Sequence, residues 1–199
     1  MKVKLLDYTK LEVADIAISK CYNKEPYKDL EKQQARINRV ANVSKHSSTI
    51  EHLVYVFDID GISRAVLQEK SRHRIASPTV KSTRYTLKEL LNDFGKVEEF
   101  LVKTGNETID KLNQEHMIKV AKAMKDENIP NDIAKYAIVE AYKTSLVFTI
   151  NARSLQNFLA LRTDKHALWE IQDLARAMYE VIPEEHKFLF KDKVNEKDK

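Results

Sequence analysis

The chain has 199 residues, with 34 basic against 30 acidic side chains for a formal charge of +4, 43% hydrophobic residues and 32% charged ones. That balance describes a chain able to bury a core rather than a disordered one, and so small a basic excess suits an anionic small ligand without demanding a nucleic acid. Glycine occurs only at Gly61, Gly95 and Gly105, so neither GxGxxG nor GxxxxGK[ST] is present, and any nucleotide must be held by side chains and helix ends rather than a glycine-rich cradle.

In chain order, residues 2–6 (KVKLL) alternate as a short strand. Residues 11–22 and 28–42 place apolar residues such as Ile16, Ala35 and Ile37 at helical spacing and predict two helices. The single thiol, Cys21, rules out an intrachain disulfide framework and a CxxC site. With no histidine near it in sequence it reads as a buried or incidental thiol. Residues 53–59 (LVYVFDI) are β-branched and aromatic and predict a strand, Gly61 a turn, and residues 62–71 a helix with Ile62, Val66 and Leu67 on one side. Pro78 interrupts the next stretch, making residues 72–84 an irregular or extended loop.

Residues 87–103 and 107–127 follow as helices separated by Thr-Gly-Asn, and Pro130-Asn131-Asp132 opens another, with Asp132 favouring its dipole. A second strand is predicted over 144–150 (TSLVFTI), then helices over 152–162 and 166–181 and a short turn after Pro183. The charged end, residues 191–199 (KDKVNEKDK), reads as a frayed tail. With no repeat and no linker, the expectation is one domain over residues 1–190 of the α/β (α+β) class, a small mixed or antiparallel sheet surrounded by helices. No signal peptide and no apolar run of about 18 residues are present, which points to the cytoplasm.

The chemistry concentrates in residues 72–85, Arg-His-Arg-Ile-Ala-Ser-Pro-Thr-Val-Lys-Ser-Thr-Arg-Tyr, where four cations, a histidine and several hydroxyls occur without a carboxylate. Arginine's planar fork matches phosphate oxygens, and hydroxyls add donors at close range. A solvated basic loop would look similar. The flanking strand and helix patterns, however, anchor this loop to core elements, which is where binding loops tend to lie. His46, His52, His116, His166 and His186 are scattered without an HExxH or HxH pair, so no metal site is expected. Trp169 and Phe158 read as core or interface packing.

Arg72-His73-Arg74, seven residues, then Ser82 resembles the RHR-x7-S signature of the flavin-dependent thymidylate synthases, continued by Arg84-Tyr85. Upstream, His46 to His52 resembles the family's H-x-[ST]-x-x-E-H segment. Downstream, Asn151-Ala152-Arg153-Ser154-Leu155, Asn157-Phe158, Leu161-Arg162 and His166 to Ile171 resemble its N-x-R-S-L, N-F, L-R and H-A-Q-x-E-I block. The three blocks fall in the family's order.

The resemblance implies a homotetrameric enzyme, with active sites where subunits meet, that methylates dUMP to dTMP. Methylenetetrahydrofolate would supply the carbon, NADPH the electrons and bound FAD their passage, without a cysteine nucleophile. It assigns Ser48, Arg72, His73, Arg74, Asn151, Arg153 and Asn157 to FAD. It assigns Gln68, Glu69, Arg72, Ser82, Thr83, Arg84, Lys135 and Arg162 to dUMP, with Arg162 the catalytic group that polarises the pyrimidine. Gln68 and Glu69 stand together because the family's glutamine lies three residues before the RHR, where this chain has Glu69. Val80 replaces a common glutamate, Lys135 a usual arginine and Leu168 a frequent glutamine. The alternatives are a flavin-binding homologue without activity and a basic nucleic-acid-binding module. Helix geometry adds one expectation: Arg153 and Asn157 share a face, whereas Arg162, nine residues from Arg153, points about 180° away. Arg153 and Arg162 should therefore serve different sites.

Overall fold

The computed structural model describes residues 1–195. Its elements are β1 (Lys2–Tyr8), α1 (Leu11–Cys21), α2 (Leu30–Ile37), β2 (Val54–Ser63), α3 (Arg64–Ser71), β3 (Ala76–Val80), α4 (Thr83–Thr86), α5 (Glu107–Asp126), α6 (Asn131–Ala134), β4 (Lys143–Asn151), α7 (Ala152–Arg162) and α8 (Trp169–Glu180). The strands form an antiparallel sheet in the order β1-β2-β4-β3, which agrees with the small sheet and helices expected of the sequence. Two compact units are present. Among the described residues, the first comprises residues 1–59, 72–78 and 147–195, the second residues 60–71 and 79–146.

Several elements depart from the sequence reading for local reasons. The expected turn at Gly61 lies inside β2, which runs on to Ser63; Gly61 adopts φ 75°, a conformation open to a residue without Cβ. The loop expected over 72–84 contains β3, with Pro78 inside it. Proline is tolerated there because β3 is an edge strand, where its missing N–H leaves no ladder bond unmade. The helix predicted over 28–42 is α2 followed by a π-helical turn at Asn38–Val43, and the one over 87–103 is two 3-10 segments, Leu87–Leu91 and Phe94–Phe100. Asp93 separates these two and caps the second by accepting from the Gly95 N–H at 2.8 Å. Asp164 and its neighbours take up turns before α8, so that helix begins at Trp169 and not at 166.

The tail is also less frayed than expected. Lys191–Lys193 form a 3-10 turn, and the Asn195 N–H donates to Thr163 Oγ1 at 2.8 Å, which ties residues 191–195 down; residues 196–199 lie outside the described residues. Cys21 is exposed at the end of α1 rather than buried. Trp169 is 46% exposed, whereas Phe158 is fully buried. Among the described residues no helix is long and apolar enough to cross a membrane.

In the first unit, Tyr55, Phe57 and Ile59 alternate inward along β2, and Phe148 and Ile150 do so along β4. Leu155, Phe158 and Leu159 bring the inner face of α7 into the core, and Ile171, Leu174 and Met178 that of α8. Each such fully buried side chain contributes about 2 kcal/mol. Asp15, fully buried on α1, takes both forks of Arg36 at 2.6 Å and the Tyr27 N–H at 2.7 Å, while Arg36 lies 3.9 Å over the Tyr27 ring. This network closes the α1–α2 connection. The second unit has its own core of Leu87, Leu90, Val97, Met117, Ala121, Met124 and Tyr142.

His186 is buried in the first unit, with Nδ1 2.7 Å from the Tyr55 hydroxyl. Burial holds its pKa down to about 4, against a smaller upward pull from Glu185, and burial likewise raises that of Tyr55. A histidine kept neutral in the fold but free to protonate when unfolded contributes stability above its ordinary value of 6.5, and that stability is lost as pH falls toward about 4. We expect the unfolding free energy from urea titrations to decline over that window by up to about 3 kcal/mol, at about 1.4 kcal/mol per pH unit. His186→Gln should flatten the decline, and an equal decline in that variant would refute the assignment.

Candidate active-site cleft

The principal cleft lies within the first unit. It encloses about 740 Å³ and is lined by Glu51, the Arg72–Ile75 segment, Asn151, and Arg153, Ser154, Asn157, Leu161 and Arg162 of α7. Its foundation is the junction of β4 and α7. Asn151 ends the strand in an extended conformation and caps the helix, its Oδ1 accepting the Ser154 N–H at 2.8 Å. The next residue, Ala152, donates its N–H to the Leu53 carbonyl at 2.7 Å. Gln156, on the buried face, donates to Asn42 Oδ1 and the Leu189 carbonyl. With α7 anchored on that side, Arg153 and Asn157 project outward into the cleft.

Four guanidiniums meet one carboxylate in this lining. Glu51 faces Arg153, accepting from its Nη1 at 2.6 Å; the pair is about half exposed, so it orients Arg153 more than it stabilises the fold. Arg153 also stands in the first turn of α7, where the helix dipole is positive. A cation there is locally unfavourable, and together with the dipole it favours an anionic ligand. Across the cleft, the His73 ring packs edge-on against buried Phe158, centroids 4.7 Å apart at 65°, and its Nε2 accepts from Arg162 Nε at 2.9 Å. Exposed Ile75 and Leu161 add apolar wall. Cations for phosphates, amides for polar edges and apolar surface for a flat ring describe a site suited to a large phosphate-bearing heterocycle.

The helix angles do not separate the two arginines into different cavities. Although α7 is unbroken and Arg153 and Arg162 lie nine residues apart on it, both border one cleft. The cleft runs along the helix, and arginine's long stem lets Arg162 reach His73 from its own side.

Of the FAD set, Arg72, His73, Arg74, Asn151, Arg153 and Asn157 line the cleft. Ser48 is not among the lining residues; it is exposed in a 3-10 turn, Ser47–Ile50. Glu51, Ile75, Ser154 and Leu161 line it without having been assigned a role, although the motif blocks contain Glu51, Ser154 and Leu161. The remaining nucleotide residues belong to the second unit. There the Ser82 carbonyl closes the α4 turn by accepting the Tyr85 and Thr86 N–H groups at 3.1 Å. Thr83 is buried, Arg84 is exposed, and the Arg84 carbonyl accepts from Asn131 Nδ2 at 2.8 Å. That bond docks α4 against α6, and half-buried Lys135 follows at the end of α6. Gln68, exposed on α3, donates to Glu140 at 2.8 Å, and Glu69 is half-buried. Beside them, Lys70 is almost wholly buried, and burial lowers its pKa to about 8. Val80 is half-buried on β3, and Leu168 precedes α8 at its N-cap.

A family model described as thymidylate synthase complementing protein matches residues 4–186. Flavin-dependent thymidylate synthases of Campylobacter jejuni and Helicobacter pylori are 49% and 47% identical to the chain, each over 96% of it and over 96% and 98% of their own lengths. One from Sulfurisphaera tokodaii is 32% identical over 96% of the chain and 77% of its own length. The crystal structure of thymidylate synthase X from Helicobacter pylori with FAD and dUMP matches with a TM-score of 0.93 at 44% identity, covering 98% of this chain and all of that one.

Because Asn151 caps the helix that carries half the cleft, Asn151→Ala should cost about 1 kcal/mol, seen as a lower urea midpoint. Asn151→Asp, which keeps the acceptor, should restore it. Equal midpoints in all three proteins would show that the cap is not needed.

Proposed function

The chain belongs to the thymidylate synthase complementing protein family, that of the flavin-dependent thymidylate synthases, and we propose that it methylates dUMP to dTMP. The observation that carries this reading is the cleft itself, where the RHR segment and the N-x-R-S-L helix converge. These residues fit FAD. Arg72, Arg74 and Arg153 would hold its phosphates, Asn151 and Asn157 its polar edges, and Ile75 and Leu161 would flank its ring. Ser48 belongs to the same proposed set. When bound, FAD supplies the hydride chemistry.

For dUMP we propose Ser82, Thr83, Arg84 and Lys135 around the phosphate, with Gln68 or Glu69 and Arg72 beside the nucleotide. Support comes from the docking of α4 on α6, which gathers two cations and two hydroxyl residues in one part of the second unit. Lys135 keeps the charge of the family's arginine but not its bidentate fork. Arg162 is the proposed catalytic group, stabilising negative charge as it develops on the pyrimidine, where preorganised donors have their largest effect. The proposed route uses no cysteine nucleophile; the single thiol, Cys21, lies exposed on α1.

Methylenetetrahydrofolate as carbon donor, NADPH as electron source, a homotetramer with active sites at subunit interfaces, and a cytoplasmic location complete the proposal. Neither an inactive flavin-binding homologue nor a nucleic-acid-binding module finds support among the relatives.

Reconstitution with FAD tests the reading. The purified protein should retain flavin, its visible spectrum should shift when dUMP is added, and dTMP should form with methylenetetrahydrofolate and NADPH. Arg72→Ala should weaken flavin retention at least tenfold, as expected for losing one charge-assisted contact of about 1.5–3 kcal/mol. A protein that neither retains flavin nor responds to dUMP would overturn the proposal.

A further inference from the structure

The bond between Arg162 and His73 has a direction. Arginine Nε–H can only donate, and it points at His73 Nε2 from 2.9 Å. His73 must therefore offer a lone pair at Nε2 and carry its proton on Nδ1. The ring that offers this lone pair is itself fixed. It packs edge-on against Phe158, which is fully buried and packs in turn on Phe148, centroids 6.3 Å apart. Phe158 and Arg162 lie four residues apart on α7, so they share a face, and His73 spans that turn of helix.

We propose that His73 is a positioning residue of Arg162: it holds the guanidinium by accepting from Nε. An unanchored arginine has many rotamers, and freezing it at the moment of reaction opposes catalysis. An arginine already held bears less of that cost. The anchor requires a neutral imidazole. A proton on Nε2 removes the acceptor and sets a second cation against Arg162. The consequence for turnover rests on the synthase reading above; the anchoring itself does not.

Two measurements on the full-length protein test this. The first needs no turnover: the 15N-bound Nε–H resonance of Arg162, identified by its loss in Arg162→Lys, should be protected from exchange. It should lose protection in His73→Phe. Protection that survives His73→Phe, which keeps an aromatic ring against Phe158, would overturn the proposal even in an active enzyme.

The second is a double-mutant cycle on the FAD-loaded enzyme. His73→Phe should lower kcat about 100-fold with KM for dUMP changed less than threefold, and His73→Gln, which retains an acceptor, should recover at least tenfold of it. In an Arg162→Ala background, His73→Phe should cost less than a further threefold. Losses that multiply in that background would mean that His73 acts independently of Arg162, and would overturn the proposal. Absence of turnover in the wild type together with the expected resonance behaviour would leave the anchoring intact and sink the synthase reading instead.

Discussion

Like charge is the constraint around which this cleft is arranged. Two guanidiniums about 6 Å apart repel by about 3 kcal/mol at an effective dielectric of about 20, and four of them border one cavity. Left to themselves they would swing apart into water. Among the contacts that counter this, the Glu51 carboxylate holds Arg153, and the His73 imidazole holds Arg162. These anchors differ in kind. Glu51 balances charge, whereas a neutral imidazole accepts a hydrogen bond without cancelling any. The first end of α7 is thus partly neutralised by the Glu51 carboxylate, and a cleft that binds a phosphate-bearing ligand and stabilises charge elsewhere on a substrate gains from holding its arginines in different ways.

The helix beneath the cleft breaks a local rule to serve it. A cation in the first turn opposes the helix dipole, and Arg153 occupies that place without an acidic neighbour in the turn. Asn151 and the bond from Ala152 to Leu53 hold the helix start in spite of it. Such departures from local preference tend to mark function, because the rest of the element must compensate for them. Here the compensation lies in the buried face: Leu155, Gln156, Phe158 and Leu159 are all enclosed. One side of an eleven-residue helix supplies the stability, and the other side supplies the chemistry.

What could be read from the sequence follows the range of the interactions involved. The strands around Phe57 and Phe148 and the span of α7 were legible because alternation and helical spacing are local signals. The break of the 87–103 helix at Asp93 and the strand around Pro78 were not, since one depends on a side-chain cap and the other on an edge position that only the assembled sheet defines. In the cleft, the RHR and N-x-R-S-L residues were legible as motifs. The sharing of one cavity by Arg153 and Arg162 was not. Angular spacing gives the direction in which a Cα–Cβ bond leaves the helix, but not where a long side chain ends when a partner such as His73 draws it in.

The same limit applies to the basic stretch itself. As a string, residues 72–85 form one cluster of cations and hydroxyls, and one loop holding one set of phosphates is the simplest picture of it. In the fold, residues 72–78 belong to the first unit, and Thr79 onward, including Ser82 and Arg84, to the second. Proximity along the chain therefore does not assign these groups to a common ligand. Each half has a different structural sponsor: α7, Phe158 and Glu51 for the RHR segment, and Asn131 of α6 for the Arg84 turn. The scarcity of glycine makes this division intelligible. A glycine-rich cradle wraps one phosphate group with one continuous backbone. A protein that recognises anions with arginine must instead hold each side chain by its own neighbours, and those neighbours come from wherever the fold supplies them.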